Sequence, residues 1–136
     1  MLKNMTTLEP SEIVSLYYEA LYGGRLEQVK ELMTADSYRM TLETFGLRLA
    51  LTDAAFKKLL KESKNDSEAL TKVETMLAVD LASRNLTPEI EICSINDNGA
   101  QRQTVEYTQD GKSKKLYFSK EEEGWKINYY AGRTVA

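Results

Sequence analysis

Two periodicities divide the chain. From Pro88 to the end, apolar and polar residues alternate, and before Pro88 the apolar residues recur at intervals of three and four. In the alternating part Ile90 and Ile92, Val105 and Tyr107, Leu116 and Phe118, then Trp125, Ile127 and Tyr129 fall on one side of four short strands. Asn-Asp-Asn-Gly at 96–99, Asp-Gly at 110–111 and Glu-Glu-Glu-Gly at 121–124 separate them. These runs supply the positive-φ positions that tight hairpins need. A sheet with one apolar face has to bury it, and the segments before Pro88 are the helices expected to do so.

The first helix starts at Pro10, which suits a first helical turn, with Glu12 complementing the dipole. Ile13, Leu16, Tyr17, Ala20 and Leu21 form its stripe, and Gly23-Gly24 ends it. A short second helix turns Leu26, Val29, Leu32 and Met33 inward. Residues 37–51 fit two patterns. Tyr38, Leu42, Phe45 and Leu49 share a helical face, yet Tyr38, Met40 and Leu42, then Leu47, Leu49 and Leu51, also alternate around Gly46 as a hairpin would. Scarce β-branched residues favour helix there. Thr52 is placed as the N-cap of a helix carrying Phe56, Leu59 and Leu60, and Glu62 to Asp66 interrupts it. A longer helix to about Asn85 buries Leu70, Val73, Met76, Leu77 and Leu81. Residues 1–8 are expected to fray, and 1–136 to form one α+β domain.

Composition narrows the chemistry. The net charge of −3 gives no general attraction to nucleic acid or to an anionic membrane, and no run of apolar residues is long enough to span a bilayer. A cytoplasmic protein is the expectation. Lys112, Lys114 and Lys115 form a basic cluster, read as a solvated sheet edge. Cys93 is the only cysteine and is expected to be a small buried hydrophobe on its strand. Histidine is absent, which removes the commonest general base and metal ligand together with every Ser-His or Cys-His arrangement. No glycine spacing suits a phosphate loop. No cofactor and no metal are therefore expected.

Ile13-Val14-Ser15-Leu16-Tyr17-Tyr18-Glu19-Ala20-Leu21, the turn and short helix of Gly23-Gly24-Arg25-Leu26-Glu27-Gln28-Val29, and the closing Gly124-Trp125-Lys126-Ile127 give the chain its resemblance to the nuclear transport factor 2-like superfamily. The resemblance implies N-terminal helices on the concave face of a curved antiparallel sheet, the whole forming a cone-shaped roll whose open end often holds a pocket. It also implies dimerisation through the outer sheet face. It implies no single activity, because this fold carries enzymes and adaptors alike.

Asp80 lies on the apolar side of its helix with Arg84 at i+4, a spacing that suits an ion pair and that could tune a carboxylate at a pocket mouth. Tyr17, Tyr107, Trp125 and Tyr129 are expected to point inward, with Trp125 anchoring the final strand to the opening helix. Polar tips converging there would suit a small apolar ligand, and equally a plain aromatic core. Arg102, Thr104, Glu106, Tyr117, Asn128 and Tyr130 are expected on the outer face, as a homodimer interface or an exposed sheet. Two functions follow from this. One is a non-catalytic dimeric module that binds a ligand or a protein. The other is a small-molecule isomerase or hydrolase with Asp80 as base and a tyrosine as proton donor.

Overall fold

The structure, a computed structural model, describes residues 8–99 and 101–131. Five helices precede four strands: α1 (Pro10–Tyr22), α2 (Leu26–Glu31), α3 (Ala35–Thr52), α4 (Ala54–Glu62), α5 (Ser67–Ser83), β1 (Ile90–Asp97), β2 (Arg102–Gln109), β3 (Lys112–Glu121) and β4 (Gly124–Ile127). The strands form an antiparallel meander in the order β1-β2-β3-β4. The architecture is α+β, with the helices packed on the concave face of the curved sheet.

α1 lies between the sheet and the other helices, touching β1, β2 and β4 on one side and α5 on the other. This position explains its composition. Pro10, Ile13, Val14, Tyr17, Tyr18, Ala20 and Leu21 are all buried, so the helix is apolar around most of its girth rather than along one stripe. Pro10 occupies the first turn, and the Glu12 carboxylate accepts the Glu9 amide at 3.1 Å, capping the start. At the other end Gly24 has φ +73, and a Cβ there would stand 2.8 Å from the Ala78 carbonyl of α5. Only glycine permits both the turn and that approach.

Residues 37–51 are helical, within α3. The helix is capped by Thr34, whose hydroxyl accepts from the Ser37 amide. Asp53, not Thr52, caps α4, accepting from Ala55 and Phe56, while Thr52 is the last residue of α3. Aspartate is an acceptor with two free oxygens, whereas the Thr52 hydroxyl donates back to the Arg48 and Leu49 carbonyls. Asp66 caps α5 in the same way as Asp53. Leu32 and Met33 are buried as expected but lie beyond α2. The expectation of a frayed start falls on residues 1–7, outside the described residues, and on Leu8, which is buried in the core.

The Asp110-Gly111 turn has φ +51 and +84, the pair a two-residue hairpin loop requires. Two details of the sheet differ from expectation and one agrees with it. Cys93 is exposed, because β1 bulges between Ile92 and Ser94 and the alternation slips by one residue. Ile92 pairs with Tyr107 and Ile95 pairs with Val105, so the inner face of β1 continues through Ile95 rather than through Ser94. Lys112, Lys114 and Lys115 are exposed at the start of β3. β4 pairs only with Phe118 to Glu121, so among the described residues no strand borders the lysines on that side and they stand on a solvated sheet edge, as expected. Finally, β4 stops at Ile127, which leaves Tyr129 and Tyr130 in the turn that follows.

Candidate functional site

The cone interior is a tyrosine cluster. α1 contributes two consecutive tyrosines because it is buried on both sides. Tyr18 faces the sheet, where its hydroxyl meets that of Tyr107 at 2.6 Å. Tyr17 faces the helical layer, where its hydroxyl lies 3.1 Å from that of Tyr129. The Tyr17 and Tyr18 rings meet edge to face, with centroids 5.0 Å apart. α3 completes the cluster. The Thr41 hydroxyl stands 3.3 Å from the Tyr129 hydroxyl, and the Ser37 hydroxyl accepts the Tyr129 amide at 2.9 Å. The turn after β4 is thereby fixed to the first turns of α3.

Burial is the largest influence on these phenols. It pushes the Tyr17, Tyr18 and Tyr107 hydroxyls above the ordinary value, because a phenolate there would lose its hydration. Tyr38 behaves likewise; its hydroxyl donates to the Glu74 carboxylate at 2.5 Å, linking α3 to α5. At neutral pH the interior hydroxyls are therefore protonated and held by partners.

Asp80 and Arg84 form a separate cluster on α5. The Arg84 guanidinium donates to the Asp80 carboxylate at 2.8 Å and to the Phe45 carbonyl of α3 at 3.3 Å. The two side chains are only 18% and 15% exposed, so the pair is drier than a surface i,i+4 pair, and the Arg84 Nε is buried without a partner. The structure brings Tyr17, Tyr107 and Tyr129 together in the interior and ties Asp80 to Arg84 and α3 instead. Trp125 is half-buried. It packs at the margin of the core on the same face as Ile127, with the Lys120 ammonium 5.7 Å over its ring. It stands opposite Lys120, next to the β3–β4 turn.

Sequence reasoning missed Tyr18, Ser37 and Thr41. The signal for Tyr18 was present as an adjacent pair of tyrosines in a helix apolar all round. Ser37 and Thr41 fell in the segment whose periodicity was ambiguous.

On the surface, a groove of about 650 Å³ runs between α1 and residues 82–90. Tyr18, Tyr22, Arg25, Asn85, Leu86 and Ile90 are among its lining residues. The outer sheet face is knit together by its own side chains. Glu106 accepts from Ser94 and faces Lys115, Asn128 donates to Ser119 at 3.1 Å, and Thr104, itself buried, meets Asn98. Arg102 donates to the Ala131 carbonyl at 3.2 Å, Tyr117 is half-buried and Tyr130 is 40% exposed. Among the described residues no group of acidic, cysteine or histidine side chains is arranged to hold a metal ion, and no helix is long and apolar enough to cross a membrane. No known protein family, curated protein or solved structure matches the chain.

Proposed function

We propose that the chain is a non-catalytic binding module of the nuclear transport factor 2-like kind, acting in the cytoplasm as a homodimer. The observation that carries this reading is the pairing of the interior hydroxyls with one another: Tyr17 with Tyr129, and Tyr18 with Tyr107. A tyrosine acting as a proton donor works best with its pKa brought toward the operating pH, and burial moves these the other way. The acid expected to act as base is engaged by Arg84 and the helical layer. The order of elements, helices first and a four-stranded meander after, supports the family resemblance. Recognition then falls to the surface: the groove beside α1, the outer face with Tyr117 and Tyr130, and the edge of the sheet.

The test is turnover and binding across a panel of small carbonyl and epoxide compounds, with the parent beside Asp80→Asn. The module reading expects no turnover from either. Turnover by the parent that Asp80→Asn abolishes would replace it with the isomerase or hydrolase reading.

A further inference from the structure

We infer that a second copy of this chain pairs with the free edge of β1, joining two sheets around a two-fold axis between Cys93 and Ser94. The inference deepens the homodimer reading above and rests on it. Among the described residues, no strand pairs with the other side of β1, an eight-residue strand that carries neither lysine nor proline. An edge of that kind is a template for another strand. Its concave face is also bare. Ile92 is 36% exposed and Ile95 50% exposed, although their neighbours across the ladder, Tyr107 and Val105, are buried.

The bulge selects the occupant. Across β2, Cys93 and Ser94 together oppose Glu106, so the inner face runs Ile90, Ile92, then Ile95 and Asp97. A regular strand laid on this edge would match the inner face on one side of the bulge and present the wrong side chains beyond it, because a one-residue slip flips every side chain. A strand with the same extra residue at the same place keeps both halves in step. β1 of a second copy, running antiparallel, is such a strand. Ile92 then lies opposite the partner's Ile95, and Ile95 opposite the partner's Ile92, giving a continuous apolar row. Glu91 faces the partner's Asn96, and Ile90 faces the partner's Asp97, so no two acids of this acidic edge stand directly opposed. One contact patch used twice is what a two-fold dimer requires.

Sedimentation velocity between about 1 and 200 μM tests this on the parent, Ile92→Lys, Ile95→Lys and the double variant Tyr117→Glu/Tyr130→Glu. Both isoleucines are exposed in the single chain, so the lysine variants should keep the parent's circular dichroism. The expected result is a dimeric parent, lysine variants whose dimer dissociation constant rises at least about a hundredfold because each places two charges in the apolar row, and a face variant that stays dimeric. In the parent dimer the Cys93 Cα atoms would stand roughly 6 Å apart, within disulfide range. Oxidation with copper phenanthroline in air should therefore cross-link the parent and not Ile95→Lys. A dimer that survives Ile95→Lys but falls to the face double variant would overturn the edge pairing and leave the homodimer reading standing. A parent that is monomeric throughout would overturn both.

Discussion

β4 and β1 are the two edges of one sheet, and the chain treats them differently. Residues 32–34 run along β4 and close it: the Ile127 amide donates to the Leu32 carbonyl at 2.8 Å, and the Thr34 amide to the Ile127 carbonyl at 2.9 Å. Ile127, Phe118 and Leu116 behind it are buried. On β1 the same inward alternation ends in Ile92 and Ile95, which α1 does not cover. The difference comes from where the helices lie. α2 and the start of α3 extend the covering layer over β4, whereas α5 leads into β1 through residues 85–89, which belong to no helix or strand. Apolar alternation therefore reports which face of a strand looks inward. Whether anything within the chain meets that face depends on the helices.

The largest effect separating the filled part of the interior from the bare edge should be alkaline. Below about pH 10 the phenols are protonated in folded and unfolded chains alike. Above it the unfolded chain ionises, while Tyr17, Tyr18, Tyr38 and Tyr107 resist because burial raises them. Stability should then fall as pH rises past the ordinary phenol value, by about 1.4 kcal/mol for each group and each unit. Absorbance of phenolate at 295 nm and loss of far-ultraviolet circular dichroism should rise together. Buried phenols that ionise at pH 10 with the fold intact would place them at the surface.

A packing comparison comes next in size. Phe118→Ala, deep in the filled part, should cost about 3–5 kcal/mol in urea unfolding. Ile95→Ala, measured at a concentration low enough to keep the chain single, should change stability by no more than about 0.5 kcal/mol. Similar costs at the two positions would mean that the edge is covered. Breaking the pair on α5 with Asp80→Asn should cost about 1–3 kcal/mol, since it leaves the largely buried Arg84 without its carboxylate. Tyr18→Phe, which leaves the Tyr107 hydroxyl without its partner, should cost about 1–2 kcal/mol. A change within error in that variant would mean water satisfies the hydroxyl and the interior is open.

The elements legible in the sequence were those set by local physics. Pro10 and Gly23-Gly24 bounded α1, Asp110-Gly111 fixed the β2–β3 turn, and the polar run before Ser67 separated α4 from α5. Features that depend on distant partners were not legible. Tyr17 meets Tyr129 across 112 positions, and nothing near either residue specifies the other. The Cys93 bulge shifted the register because Ile-Glu-Ile-Cys-Ser-Ile reads equally well with Ser94 or Ile95 turned inward. Trp125 reads as an anchor from its size and parity; in the structure it packs half-buried at the margin of the core, opposite Lys120 and next to the β3–β4 turn. In residues 37–51 leucines and methionine fit either period; the scarcity of β-branched residues favours helix, and the segment is helical and packs against α4 and α5.

Hydrogen exchange read by mass spectrometry at two protein concentrations tests the contrast between the edges most directly. Peptides covering residues 90–97 should exchange fast in dilute solution and gain protection at high concentration, while those covering 114–120 and 32–34 stay equally protected in both. Concentration-independent exchange across 90–97, or added protection confined to the outer-face residues around Tyr117 and Tyr130, would contradict the account.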